Sequence, residues 1–171
     1  MFLKSLKNKS NQKFIEKRLK ERILSGVEGK ITSVGVILNA EEFCDYDEVD
    51  EFLSSLKISS IKQKIVTFCN DENDISGLRN PFTTKDFGWR GKLKNSELKD
   101  FTNTNFDVLI CYFLGKNIEL SQIAADTKAN FKVGISKHDQ RIFDLIIDLN
   151  SNNFELFKSE LKKYLSILNK L

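Results

Sequence analysis

The chain has 171 residues, 40% of them hydrophobic and 14 of them Phe, enough for one domain with its own core and an extension. One Pro, eight Gly and 30% charged residues exclude a low-complexity or disordered chain, and no apolar run approaches the 18 residues of a membrane-spanning helix. Charge is unevenly placed: residues 1–30 carry nine basic and three acidic groups, a surplus of six, while the remaining residues sum to minus three.

The basic start, 1–32, reads as a helical arm ahead of an α/β domain over 33–171. Within it, residues 10–25 predict a helix, capped by Ser10 or Asn11, striped by Ile15, Leu19, Ile23 and Leu24, and stopped at Gly26. Ser33 to Leu38 predicts a buried strand, Glu41 to Leu56 a helix, and Lys64 to Cys69 a second strand. Asn70 to Leu93 holds Gly77, Pro81, Gly88 and Gly91 and reads as an irregular loop. A short helix over 95–101 precedes the most apolar strand, Asp107 to Phe113. A helix over 118–129, strands over 131–136 and 144–149, and a helix over 153–169 with one sustained apolar face complete the chain.

Strands that are continuous apolar runs alternating with helices predict a parallel sheet covered on both faces. The expected fold is α/β, a small Rossmann-like three-layer sandwich with five mostly parallel strands. The short link between Ser136 and Asp144 marks the last strand as an exception to parallel pairing. Cys44, Cys69 and Cys111 are odd in number and far apart, which suits reduced thiols in a cytoplasmic protein.

Chemistry is scarce. Neither a G-x-G-x-x-G nor a G-x-x-x-x-G-K-[ST] loop occurs, and Glu41 and Glu42 after the first strand would repel a phosphate. Gly115 and Lys116 at a helix start suit an anion, or else form an ordinary turn capped by Asn117. His138 is the one histidine, too few for a zinc site, and lacks a paired nucleophile. Asp144 and Asp148 lie four apart on one strand face, a pairing that suits a metal or a shared proton as well as ordinary turn roles. Asp86-Phe87-Gly88 matches the kinase metal-binding tripeptide by letters alone. No catalytic residue, metal site, cofactor or small-molecule ligand is expected.

Binding residues are easier to name. Lys4, Lys7, Lys9, Lys13, Lys17, Arg18, Lys20 and Arg22 suit phosphate contacts, each of which releases condensed counterions. Trp89, Arg90 and Lys92 mix an aromatic ring with cations on the long loop, as stacking on bases requires; the alternative is that Phe87 and Trp89 tuck under the body. Residues 41–51 hold seven carboxylates and no Lys or Arg, a solvated helix face or a contact for a basic protein.

Several strings look familiar together: Lys85-Asp86-Phe87-Gly88-Trp89 followed by Gly91-Lys92, Phe106-Asp107-Val108-Leu109-Ile110, Phe131-Lys132-Val133-Gly134-Ile135, Phe143-Asp144-Leu145-Ile146-Ile147 and Glu160-Leu161-Lys162-Lys163-Tyr164-Leu165. Over almost its full length the chain resembles a lineage-restricted bacterial family of small α/β proteins of unassigned function. More faintly it is similar to an accessory protein of the bacterial large ribosomal subunit. That resemblance implies a non-enzymatic RNA-binding protein whose partners are ribosomal RNA and, through 41–51, basic ribosomal proteins. Two rivals remain. One is an enzyme or binding domain for a nucleotide or sugar phosphate at the strand ends near Asn39, Gly115 and Ser136. The other is docking of the basic helix on an acidic membrane surface.

Overall fold

The computed structural model describes residues 2–23, 29–56, 62–135, 137, 139–149 and 152–171. Six strands form one sheet: β1 Ser33–Asn39, β2 Lys62–Phe68, β3 Pro81–Phe82, β4 Phe106–Tyr112, β5 Ala129–Gly134 and β6 Leu145–Ile146. All pairings are parallel and the order is β3-β2-β1-β4-β5-β6. That is the order of doubly wound dinucleotide-binding sheets, with the topological switch point between β1 and β4. Helices α1 Phe2–Glu21, α2 Tyr46–Ser55, α3 Ser96–Asn103, α4 Ile118–Asp126 and α5 Phe154–Ile167 cover both faces. The Rossmann-like sandwich expected from the apolar pattern is the fold.

Pleating divides the side chains of the central strands. Val34, Val36 and Leu38 of β1 and Val108, Ile110 and Tyr112 of β4 share a core with Phe52 and Leu53 of α2 and with Phe154, Phe157 and Leu161 of α5. Ile37, Leu109 and Cys111 turn the other way, onto Ile15 of α1, Leu98 and Phe101 of α3, and Leu120 and Ile123 of α4. Burial on both faces is why these strands read as unbroken apolar runs. At the amino ends, Asp107 Oδ2 accepts from the Thr32 and Ser33 amides at 2.8 and 2.9 Å and from both hydroxyls, fastening β1 to β4. Burial alone would raise the Asp107 pKa, but these donors outweigh it and hold the carboxyl below its usual range.

Several boundaries differ from expectation. α1 begins at Phe2, so Ser10 lies inside the helix and does not cap it, and the helix ends at Glu21; Leu24 and Gly26 lie outside the described residues. α2 begins at Tyr46 because Asp45 accepts from the Glu48 amide at 3.0 Å and stops the helix from extending back to Glu41. The long loop contributes a sixth strand, β3, which pairs Pro81 with Thr67 and Phe82 with Phe68 at the sheet edge, where a proline removes no needed donor. β6 is parallel to β5 after all: the link before it holds a 3-10 turn, Gln140–Ile142, long enough for the crossover.

α1 is docked along α4. Lys4, Asn8 and Gln12 lie by Ile118 at the start of α4, and the Arg18 Nε donates to Asp126 Oδ1 at its end, 2.7 Å away, so the two helices run in the same direction. Ile15 is fully buried, and Arg141 grips both oxygens of Glu16 at 2.7 and 2.9 Å. No helix among the described residues is long and apolar enough to cross a membrane.

Candidate functional site

The carboxyl ends of β1 and β4, where sheets of this order hold pyrophosphate, are filled by the protein itself. Glu42 turns its carboxylate onto the amides of Leu114 and Gly115 at 2.5 and 2.9 Å and also accepts from Asn39 Nδ2 at 2.9 Å. A carboxylate thus sits on the donors that would otherwise face an anion. Asn152 fixes the same turn by donating to the Glu42 carbonyl at 2.6 Å while accepting from the Tyr112 hydroxyl. At Gly115 the ordinary reading holds: Asn117 caps α4 through the Leu120 amide.

The basic residues converge at the opposite, amino end of the sheet. α1 lays Ser10, Asn11 and Phe14 on the turn Trp89–Leu93. The Arg90 amide donates to Ser10 Oγ at 3.1 Å and the Gly91 amide to Asn11 Oδ1 at 3.1 Å. Gly91 has φ +76°, and a Cβ there would stand 2.3 Å from Phe14 Cγ, so only glycine permits this approach. Gln122 of α4 completes the joint by donating to the Gly91 carbonyl at 3.1 Å. The joint walls one side of a cleft of about 510 Å³ that continues over the starts of β4 and β5.

Arg18, Arg22, Arg90, Lys92, Lys99, Lys128 and Lys132 line this cleft, against Glu21 and Asp126. Their roles differ. Arg18 lies over the Phe14 ring, 4.9 Å from its centroid, and pairs with Asp126, whose carboxyl burial pushes up and Arg18 pulls back. Arg22 spans from the Ile142 carbonyl to Asp144. Lys132 is buried, donating to the Ala124 and Ala125 carbonyls that end α4; burial, aided by Arg22, lowers its pKa to about 8. Arg90, Lys92, Lys99 and Lys128 are exposed and make no side-chain hydrogen bond or ion pair among the described residues. Trp89, 49% exposed, stands beside them, whereas Phe87 is buried against Phe82.

The other basic positions of α1 are spread around the helix. Lys13 and Lys17 are exposed, three and seven positions after Ser10 and therefore on the flank that meets the Arg90 turn; Lys17 also lies 3.6 Å from Glu21. Lys9 and Lys20 are exposed as well. Lys7 turns inward, donating to the Phe87 carbonyl at 3.2 Å, and Lys4 lines a separate cavity near the start of α4. Lys99 and Lys128 were not expected, because nothing local in sequence links α3 or the α4–β5 turn to the arm.

The remaining candidates have structural partners. Thr83 and Asp86 form a capping box, which accounts for the Asp-Phe-Gly string. Asp144 accepts from Arg22 and the Lys132 amide, while Asp148 pairs with Lys137 at 2.7 Å, so the two carboxylates serve different neighbours. His138 and Ser136 lie outside the described residues. Five of the seven carboxylates in 41–51 are engaged: Glu41 with the Asn70 amide, Glu42 and Asp45 as above, Glu48 with Lys158 and Asp50 with Arg79. Among the described residues no group of three or more His, Cys, Asp or Glu side chains could hold a metal ion.

No curated protein and no solved structure matches the chain. A family model does match, over residues 7–168, from within α1 to just beyond the end of α5, and so takes in the basic helix, the sheet and the cleft between them. The chain belongs to the family of unknown function DUF6913.

Proposed function

We propose that this is a non-enzymatic RNA-binding protein that holds phosphates in the cleft walled by α1 and the Trp89–Leu93 turn. The observation that carries the reading is the docking of Ser10 on Arg90, which merges basic segments 80 positions apart into one surface. Arg90, Lys92, Lys99 and Lys128 supply unpaired cations, Lys13 and Lys17 extend the flank, and Trp89 offers an exposed ring for stacking. Ribosomal RNA of the large subunit, in the cytoplasm, is the target that the sequence resemblance implies. Basic ribosomal proteins would meet Asp47 and Glu51, the carboxylates of the acidic run without a hydrogen bond or ion pair among the described residues. The rival reading, an enzyme using the β1 and β4 ends, meets the Glu42 carboxylate where its anion should sit.

The test is a titration of fluorescent single-stranded RNA across a salt series, with wild type and the variant carrying R90A, K92A, K99A and K128A. The log–log salt slope should flatten by roughly 0.7–0.9 for each phosphate contact removed. Sucrose-gradient sedimentation of lysate, followed by immunoblot, should place the wild type with the large subunit at low salt. RNA affinity unchanged in the fourfold variant at about 0.1 M salt would overturn the reading.

A further inference from the structure

A second cavity, of about 790 Å³, opens at the carboxyl ends of the strands, on the sheet face covered by α1 and α4. Lys4, Asn8 and Gln12 of α1, Asn70 after β2, Thr84 after β3 and Lys116 to Glu119 at the start of α4 line it. It lies at the far end of α1 from the basic cleft, on the end of a parallel sheet where ligands bind. Its volume is within the range of small-molecule sites.

Glu119 marks it as more than a groove. The residue is only 8% exposed, yet among the described residues its carboxylate accepts no hydrogen bond and joins no ion pair. Its oxygens are not sealed in the interior, where Gln122 Oε1 is the side-chain atom left without a partner among the described residues. They therefore open into the cavity that Glu119 lines. A ligand donor that reaches it there gains a charge-assisted hydrogen bond with no protein donor to displace.

The surroundings define the donor's company. Arg141 and Asp139 neutralise each other, and Arg141 also holds Glu16, whereas Lys4 and Lys116 form no ion pair among the described residues. The amides of Ile118 and Glu119 head the nine-residue α4, ahead of the Leu120 and Ser121 amides that Asn117 takes. A cationic ligand would be opposed by the two ammonium groups. A hydroxyl satisfies Glu119 without adding charge, and an anion satisfies the lysines and the helix end.

We infer that this cavity binds a small phosphorylated polyol, a sugar phosphate or mononucleotide. Its phosphate lies toward Lys4, Lys116 and the α4 amides, and a sugar hydroxyl donates to Glu119. This departs from the expectation of no small-molecule ligand, and it stands independently of the RNA reading.

Isothermal titration of the full chain with ribose 5-phosphate, AMP, ribose and inorganic phosphate tests it. Ribose 5-phosphate or AMP should bind at least about tenfold more tightly than ribose or phosphate alone. E119A and K116A should each weaken that binding by about tenfold, and R90A should leave it unchanged. K116A alters an exposed side chain and decides the matter if E119A fails to fold. RNA affinity should be unaffected by K116A, which separates this site from the basic cleft. No binding of any probe at about 10 mM, or binding indifferent to both substitutions, would overturn the inference.

Discussion

Phe14 closes over the bare Cα of Gly91, and that contact ties the first helix to the turn of the long loop that carries Arg90 and Lys92. G91A introduces both a clash and a side chain at positive φ. It should cost about 2–4 kcal/mol of stability, from strain and overpacking together. It should also weaken RNA binding of the folded fraction, since Arg90 and Lys92 leave the flank of Lys13 and Lys17. Denaturant melts and RNA titrations on the same preparation measure the two effects. Wild-type stability in G91A would mean that α1 does not hold the turn.

Phe87 and Trp89, two residues apart, should separate folding from binding. F87A empties a fully buried site and should cost about 3–5 kcal/mol of folding. W89A removes a ring that is half in solvent; it should leave stability within about 1 kcal/mol and cost about 1–3 kcal/mol of RNA affinity. Loss of stability in W89A with binding intact would make the ring a structural pin.

Glu42 should be needed for the fold and dispensable for RNA. E42A leaves the Leu114 and Gly115 amides without their carboxylate acceptor, at a cost of about 1–3 kcal/mol per group that water does not reach. Thermal melts should show the loss, while RNA affinity at the opposite end of the sheet should be unchanged. A parallel loss of RNA affinity in folded E42A would relocate the binding surface.

Lys132 should make stability rise with pH in a narrow alkaline window. Burial lowers its folded pKa to about 8 from an ordinary 10.5. Between those values the unfolded chain holds the proton that the folded chain has released, so unfolding becomes harder as pH rises. The expected gain from pH 8 to 9 is about 1 kcal/mol. Further gain is offset above pH 9, because the Cys111 thiol, pushed to about 12 by burial, ionises only on unfolding. Denaturant midpoints at pH 8.0, 8.5 and 9.0 should rise in the wild type and stay flat in K132M. A falling wild-type profile would show that the ammonium is not desolvated.

The sandwich was legible because a strand buried on both faces has one sequence signature. Ser33 to Leu38, Asp107 to Phe113 and the stripe from Phe154 to Leu165 were located within a few residues by apolar continuity and period alone. β3 and β6 were harder, since two residues cannot display a period. Pro81 supplies a turn signal that masks its strand, and the Ser136–Asp144 link reads as too short for a crossover. The basic candidates were visible as charge, but charge does not reveal direction: Lys7 faces carbonyls of the body, Arg22 and Arg18 face carboxylates, and Arg90 and Lys92 face solvent. The joint of Gly91, Asn11 and Gln122 gives no sequence signal, because it spans three elements distant in sequence. Glu119 gives no sequence signal either. A carboxylate in a first helical turn normally needs no partner beyond the helix end, and only its burial sets it apart.

The bonds that seat α1 also impose a delay. Glu16 waits for Arg141, 125 positions downstream, and Arg18 waits for Asp126, 108 downstream. At about 5–20 residues per second of synthesis, Glu16 is added roughly 6–25 s before Arg141. Until Phe87, Asp126 and Asp144 have been added in turn, Lys7, Arg18 and Arg22 lack the distant partners they have in the folded chain. The nascent chain is thus most cationic along α1 while its own interior is still unmade. Completion of the sheet quenches part of that charge and leaves Lys9, Lys13, Lys17 and Lys20 exposed on α1.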